Sequence, residues 1–398
     1  MPNFPVRLPF PYFGYGIPFF AFQQFWFTAA GGYVPAIRGK RDFVDPTLVF
    51  QIGYLLSIEG FPNPRDSINT RCGQIRPSAI IVNRRDSSRV LQMGKSRSGQ
   101  YFPHVGATIA QIISVLGHHL QFRLSEGGLV DAWQRLAALL LAWYEEIGQQ
   151  IKQAGVLHAD ETGWRLAGKT VWLWCFSSTS ATYYMIDRSR GSPALSKFFK
   201  EAFDGILITD FWGAYNAVVC TGRQTCLPHL LRELKKVDDH NGSAEWIEFS
   251  KKLGRLLKDA IRLKKKDLPE PKYQSLRSRL DLRLDYLIEM PWRDADVKRL
   301  VKRLRRYRQT IFTFLDYPEV PSDNNHAERE IRPAVIMRKN SQGNRSGNGA
   351  NAQAILMSVY RTLKLRGLDP LDTIVSALKT YVVTGSLPPL PEAKLSVN

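Results

Sequence analysis

Residues 154–178, AGVLHADETGWRLAGKTVWLWCFSS, decide the fold. AGVLHAD, 154–160, reads as a short buried strand ending at Asp160, and KTVWLWCFSS, 169–178, is a second run of β-branched and aromatic residues. ATYYMIDRS, 181–189, follows after Ser, Thr and Ser, which predicts a hairpin between the second and third strands. SPALSKFFKEAF, 192–203, then predicts a helix with Ser192 as N-cap and Pro193 at the first helical position. GILITDFW, 205–212, supplies a fourth strand ending at Asp210, and a short helix near 213–220 and a fifth strand near 223–227 complete a β-β-β-α-β-α-β run.

Outward from this block the pattern is helical. Ile109, Ile112, Ile113, Leu116 and Leu120 mark one face, and Leu129 to Ile151 a second, longer one. Residues 240–318 repeat Leu and Ile at helical spacing with Lys and Arg between them. Between 251 and 310 there are 20 basic and 8 acidic residues, about two-thirds of the chain's surplus of 55 Lys and Arg over 36 Asp and Glu. A net charge of +19 points to a polyanion as partner, and Lys264, Lys265, Lys266, Arg303, Arg305 and Arg306 are the expected phosphate contacts, with a solvated helical face as the alternative. A last unit runs from VPSDNNHAEREIRPAVIMRKN, where Asp323 is the expected N-cap and Pro333 the expected kink or end. A Gly/Asn/Ser-rich loop at 341–351 and helices over 352–365 and 370–383 follow.

The 398 residues predict two or three domains: a leader over 1–104, a helical lead-in over 105–155, catalytic-core segments at 156–239 and 321–340, a helical basic insertion at 240–320, and a C-terminal piece over 341–398. The leader crowds Pro and aromatic residues and then scatters Gly, Pro, Ser and Arg, so poor order is expected there, with Arg84, Arg85, Arg89, Lys95 and Arg97 either solvated or a DNA-contacting arm. Four cysteines without a C-x-x-C pair fit a reducing cytoplasm rather than a stapled secreted fold. The apolar stretch 17–27 is too short and too interrupted to span a bilayer and does not read as a signal peptide, so no membrane partner is expected.

Asp160 and Asp210 each fall at the carboxyl end of a predicted buried strand, where an unpartnered carboxylate is costly. Either alone is explained as a strand-to-loop cap; two on neighbouring strands point to a divalent metal. Glu328 is the expected third ligand, sharing a helical neighbourhood with Asn324, Asn325, Arg329 and Arg332, residues suited to DNA contact but equally at home as caps and surface groups. Oxygen-only ligands favour Mg²⁺ or Mn²⁺ over zinc, and a pair of such ions supports phosphodiester transfer. Cys226 and His229 stand at C-x-x-H spacing with Cys220 nearby, too few ligands for a closed zinc site, so packing or positioning is the expected role. His158 reads as a satisfied buried histidine, and Trp172 and Trp174 as core or sheet-face residues.

LHADETGW around Asp160, ITDFWGAYNAV around Asp210, CLPHLLREL from Cys226 and DNNHAEREIRPAVIMRKNSQGNRS around Glu328 together resemble the IS66 family of bacterial insertion-sequence transposases, over residues 105–385. The resemblance implies an α/β, ribonuclease H-like mixed sheet flanked by helices, with a helical basic insertion. It also implies an Asp160, Asp210 and Glu328 triad holding two Mg²⁺ or Mn²⁺ ions, and cleavage and strand transfer on double-stranded DNA by a homo-oligomer. His229, Arg338 and Lys339 join the expected DNA contacts on the same basis. One departure is that the family's cysteine-rich amino-terminal module is matched here only by Cys72, so a truncated, frame-shifted or replaced leader is expected. Competing readings are a ribonuclease H-like nuclease without joining, an inactive DNA-binding descendant, and a glycosidase using Asp160 and Asp210, which the charge disfavours.

Overall fold

A computed structural model describes residues 107–393 apart from Leu120, and the leader with its basic stretch lies outside these residues. The chain divides into two compact units. One comprises Ala142–Arg332 with Met357–Gly367; the other comprises the described residues up to Leu141 with Pro333–Leu356 and Leu368–Pro391.

The first unit is built on a mixed sheet of five strands, β1 (Val156–Leu166), β2 (Lys169–Ser177), β3 (Thr182–Asp187), β4 (Phe203–Thr209) and β5 (Cys220–Thr225), in the order β3-β2-β1-β4-β5. β1 is antiparallel to β2, and β2 to β3; β1 and β4, and β4 and β5, run parallel. Leu173, Trp174, Cys175 and Phe176 of β2 are all fully buried, which requires cover on both faces and explains why this run lacks polar alternation. β1 does not stop at Asp160. It continues for six more residues and turns into β2 through Ala167 and Gly168, at φ 49° and 76°. Two consecutive residues at positive φ match the hand of the turn to the twist of the strands, and DETGWR is held in strand by pairing with β2 rather than by its own propensity.

Helix α1 (Ile109–His119), α2 (Glu126–Leu139) and α3 (Leu141–Lys152) precede the sheet. The single long helix expected from the apolar period is therefore two, parted at Leu140. Helix α4 (Ser192–Phe198) connects β3 to β4, with Gly191 rather than Ser192 at the N-cap. A 3₁₀ turn at Gly213–Ala217 leads to β5, and helix α5 (Leu227–Asp238) follows with Cys226 as its N-cap.

The basic zone folds as α6 (Ala244–Lys264), α7 (Glu270–Glu289) and α8 (Ala295–Arg306), the first capped by Ser243 and the last by Asp294. Their apolar stripes join the sheet in one cluster: Trp246, Phe249, Leu253 and Leu257 of α6, Leu284 of α7 and Leu300 of α8 are buried with Leu230 of α5 and Ile206 and Ile208 of β4. The bulky Leu side chains face inward at i, i+3 and i+4 spacing, and the Lys and Arg between them are thereby forced outward.

Helix α9 (Asn325–Ser341) begins in this unit and continues through Pro333, which does not end it. In the other unit α1 buries Leu116 against Ile112, Val115, Phe122 and Leu124. Helix α10 (Gly347–Leu365) starts within the glycine-rich stretch read as a loop, because Ser346 caps it: its Oγ accepts from Gly349 N at 3.1 Å. Helix α11 (Pro370–Thr384) is capped by Asp369 and ended by Gly385 at φ 75°. Among the described residues no helix is long and apolar enough to cross a membrane.

Candidate functional site

Register brings the first two acids together. β1 and β4 pair as Val156↔Ile206, Leu157↔Leu207 and His158↔Ile208, and the same offset sets Asp160 level with Asp210 just beyond the end of β4. Gly205 permits this approach, since a Cβ there would lie 2.7 Å from the Ala154 carbonyl oxygen and 2.8 Å from that of Gly155. Asp160 Oδ1 accepts from Glu161 N at 2.9 Å, and Asp210 Oδ1 from Trp212 N at 2.8 Å.

The start of α9 brings Glu328 close enough for its charge to act on Asp160. Asn324, buried ahead of the helix, donates through Nδ2 to the Ala159 carbonyl at 2.8 Å, and its Oδ1 lies 3.0 Å from His158 Nδ1. Its backbone N–H donates to Cys226 Sγ at 3.3 Å, and its carbonyl accepts the Glu328 N–H at 3.1 Å. Asn324 thus ties α9 to β1 and to the start of α5 with groups that the sequence reading assigned to DNA. Glu328 Oε1 lies 3.3 Å from Arg232 Nη2 and 3.9 Å from His229 Nε2, both on α5.

Burial, with the adjacent charge of Glu161 and those of Asp210 and Glu328, pushes the Asp160 carboxyl up to about 7. The His158 ring is driven the other way: burial lowers it to about 4, despite its bond to Asn324, and His326 and Arg329 add to the effect. His158 is neutral at pH 7. Burial and the Arg232 charge also hold His229 below the usual histidine value.

Beside Asp160, Glu161 points into a separate network. Its Oε2 accepts from the Tyr215 hydroxyl at 2.6 Å and its Oε1 from Arg190 at 3.2 Å, while the Arg190 guanidinium is sandwiched between Trp172 at 4.4 Å and Trp212 at 4.1 Å. Trp212 Nε1 donates to the Arg190 carbonyl, so the loop after Asp210 is anchored to this stack. Sequence reading missed Glu161, Arg190 and Arg232. The doubled acid of HADET was a visible signal; the partners were not, because they arrive from other elements.

Glu330, two positions after Glu328, is buried and forms a bidentate pair with Arg361 of α10, Nη2 to Oε1 at 2.7 Å and Nε to Oε2 at 2.8 Å. Asn325, Arg329 and Arg332 are exposed around the start of α9, and Arg338 and Lys339 belong to its last turns, in the other unit.

The six basic residues of the helical zone separate by environment. Lys264 Nζ donates to the carbonyls of Phe314, at 2.6 Å, and Tyr317. Arg303 pairs with Glu233, Arg305 donates to the Ile288 carbonyl at 3.1 Å, and Arg306 stacks on Tyr307. Lys265 and Lys266, past the end of α6, are exposed. Further pairs, Arg283 with Asp259 and Arg308 with Asp281, place part of the basic excess in intramolecular contacts.

A profile described as the IS66 family of transposases matches residues 106–352. The chain is similar to the uncharacterized protein y4qI of Sinorhizobium fredii, 27% identical over 264 residues that cover 58% of this chain and 48% of that one. It is also similar to the uncharacterized protein y4jD of the same organism, 24% identical over 233 residues covering 54% and 44% respectively. The chain therefore spans about half the length of the curated relatives it matches.

Proposed function

Because this chain belongs to the IS66 family of transposases, we propose that it cleaves phosphodiester bonds at the ends of an insertion sequence and transfers the freed strands into target DNA, with Asp160, Asp210 and Glu328 as its metal-holding triad. The observation that carries this reading is the raised Asp160 carboxyl, set beside Asp210 and within reach of the Glu328 charge. Asp160 and Asp210 stand level across parallel strands, and burial first, then the charges of Glu161, Asp210 and Glu328, hold Asp160 near 7. A carboxylate group of this kind is compensated by a divalent cation, and its all-oxygen donors suit Mg²⁺ or Mn²⁺. A pair of such ions, when bound, activates an attacking oxygen and stabilises the departing one. The strand order of the mixed sheet supports the ribonuclease H-like reading.

The protein's own groups do the rest. The Asn324 ties to His158, Ala159 and Cys226 hold the first turn of α9, and hence Glu328, against the strand that carries Asp160. Arg232 orients Glu328 through its 3.3 Å contact, and with exposed Arg329 and Arg332 it offers positive charge for the phosphates flanking the cleaved bond. The Glu161, Arg190 and Trp212 stack fixes the loop that presents Asp210. Double-stranded DNA is the proposed partner and a homo-oligomer the proposed working form, since two element ends must be joined in one reaction.

The test uses a labelled duplex bearing the element's end, with Mg²⁺ or Mn²⁺ and a target plasmid. The parent protein should yield nicked and joined products, and Asp160→Asn should bind the duplex while yielding neither. Nicking without joining supports a nuclease instead, and cleavage that persists in Asp160→Asn overturns the triad.

A further inference from the structure

The C-x-x-H pair acquires a third donor in the fold. Ligand atoms of Cys226, His229 and Glu328 all lie within 4.8 Å of one another, although Glu328 is about a hundred positions away in sequence. We propose that these three side chains form a binding site for a borderline-soft divalent cation of the Zn²⁺ class, distinct in its chemistry from the all-oxygen group of Asp160 and Asp210.

Four features carry the assignment. Thiolate and imidazole select zinc-like ions over Mg²⁺, and three protein donors with an open fourth position make a recurrent zinc arrangement. Donors on a tetrahedral zinc stand about 3.5 Å apart, so the group needs only a small contraction, and the His229 and Glu328 side chains, 37% and 28% exposed, are not packed in on all sides. Cys226 is buried at the N-cap of α5 and its Sγ already accepts the Asn324 N–H; without a cation burial pushes this thiol up to about 11, so a bound metal is what would ionise it. Finally, His229 Nδ1 is buried without a hydrogen-bond partner, leaving the imidazole with an unused polar atom at this place. Binding releases the Cys226 thiol proton to solvent and leaves the imidazole neutral and Glu328 ionised, so charge and protons balance.

Arg232 is the cation that now faces Glu328 Oε1. A metal at the thiolate site replaces it there and engages the Glu328 carboxylate that the proposed triad requires. Zn²⁺ should therefore antagonise Mg²⁺-dependent strand cleavage. That consequence rests on the proposed function; the binding itself does not.

Cobalt is the probe for the site. Co²⁺ added to the full chain should produce a thiolate-to-metal charge-transfer band in the near ultraviolet. The band should persist in Cys72→Ser and Cys220→Ser and disappear in Cys226→Ser, with circular dichroism confirming that each variant is folded. X-ray absorption of the zinc-loaded parent, which needs no variant, should show one sulfur neighbour per metal. No band in the parent, a band that survives Cys226→Ser, or a zinc shell of nitrogen and oxygen alone would overturn the proposal. Asp160→Asn separates the two readings, because it should keep the cobalt band while losing strand cleavage. A parent that gives the band but never cleaves DNA refutes the transposase chemistry and leaves the metal site standing.

Discussion

Glu328 and Glu330 stand two positions apart on α9, some 200° around the helix, and their surroundings are opposite. Glu330 is buried and fully answered: Arg361 grips both oxygens, and Thr182 Oγ1 adds a bond at 3.2 Å. Glu328 is partly exposed, shares one oxygen with Arg232, and adds to the negative charge around Asp160. One helix turn thus holds a compensated acid, whose removal leaves an orphaned guanidinium, and an acid in a group with too little positive charge. The difference teaches where to look for chemistry, because incompletely compensated acids concentrate at functional sites, where a proton or a bound cation completes the balance.

The largest contrast should appear in activity. Glu328→Gln removes the charge while keeping the shape, and strand cleavage with Mg²⁺ should fall by about 10²–10³-fold or more, on the scale of losing a key electrostatic partner in catalysis. Activity retained within a few-fold would give Glu328 the status of an α5 anchor.

On stability the order reverses. Glu330→Ala strands Arg361 in a buried place and should cost about 3–5 kcal/mol in denaturant unfolding, whereas Glu328→Gln should be nearly neutral. Similar destabilisation at both positions would erase the distinction between the two faces of α9.

In metal-free buffer the carboxylate group gives a pH signature. Asp160 in the folded protein keeps its proton from about pH 4 to about 7, a range in which the unfolded chain has already released it, so its contribution to stability declines as pH rises through that window. Asp160→Asn should therefore be more stable than the parent near pH 7, by about 2–4 kcal/mol at most, and equal to it below pH 4. Mg²⁺ should raise the thermal midpoint of the parent and leave that of the variant unchanged. His158 titrates oppositely: its depressed value makes the fold lose stability as pH falls from about 6.5 to 4, and His158→Gln should flatten that decline.

The smallest effect is expected on the basic helices. Neutralising exposed Lys265 and Lys266 together should reduce the salt slope of DNA binding by about 0.9 log unit for each phosphate they no longer neutralise. Lys264→Gln should act on stability instead, since its ammonium already serves the Phe314 and Tyr317 carbonyls. An unchanged slope in the double variant would make the whole zone a structural cover for β4.

Local chemistry along the chain was enough for the strand run from Val156 to Thr225, the amphipathic stripes of α6 and α8, the helix carrying Glu328, and the location of Asp160 and Asp210 in or beside two strands of that run, because apolar period, turn residues and caps act over a few neighbours. The equal register of the two Asp residues came from the pairing of β1 with β4. It was also enough for the family, through four short motifs in order. What pairing and packing decided lay beyond that range. The extension of β1 past Asp160 came from β2 alongside it, the passage of α9 through Pro333 overrode a local breaker, and the start of α10 among glycines depended on the Ser346 cap. The family motif singles out Glu328, but no pattern in the sequence shows that Glu330 is buried and paired, or separates Asn324 at the surface from Asn324 buried between β1 and α5. A carboxylate or an amide takes its role from the charge and the donors that reach it, and here Arg232, Arg361, His158 and Cys226 arrive from elements far apart in sequence, so the energies that assign those roles exist only once the chain has folded.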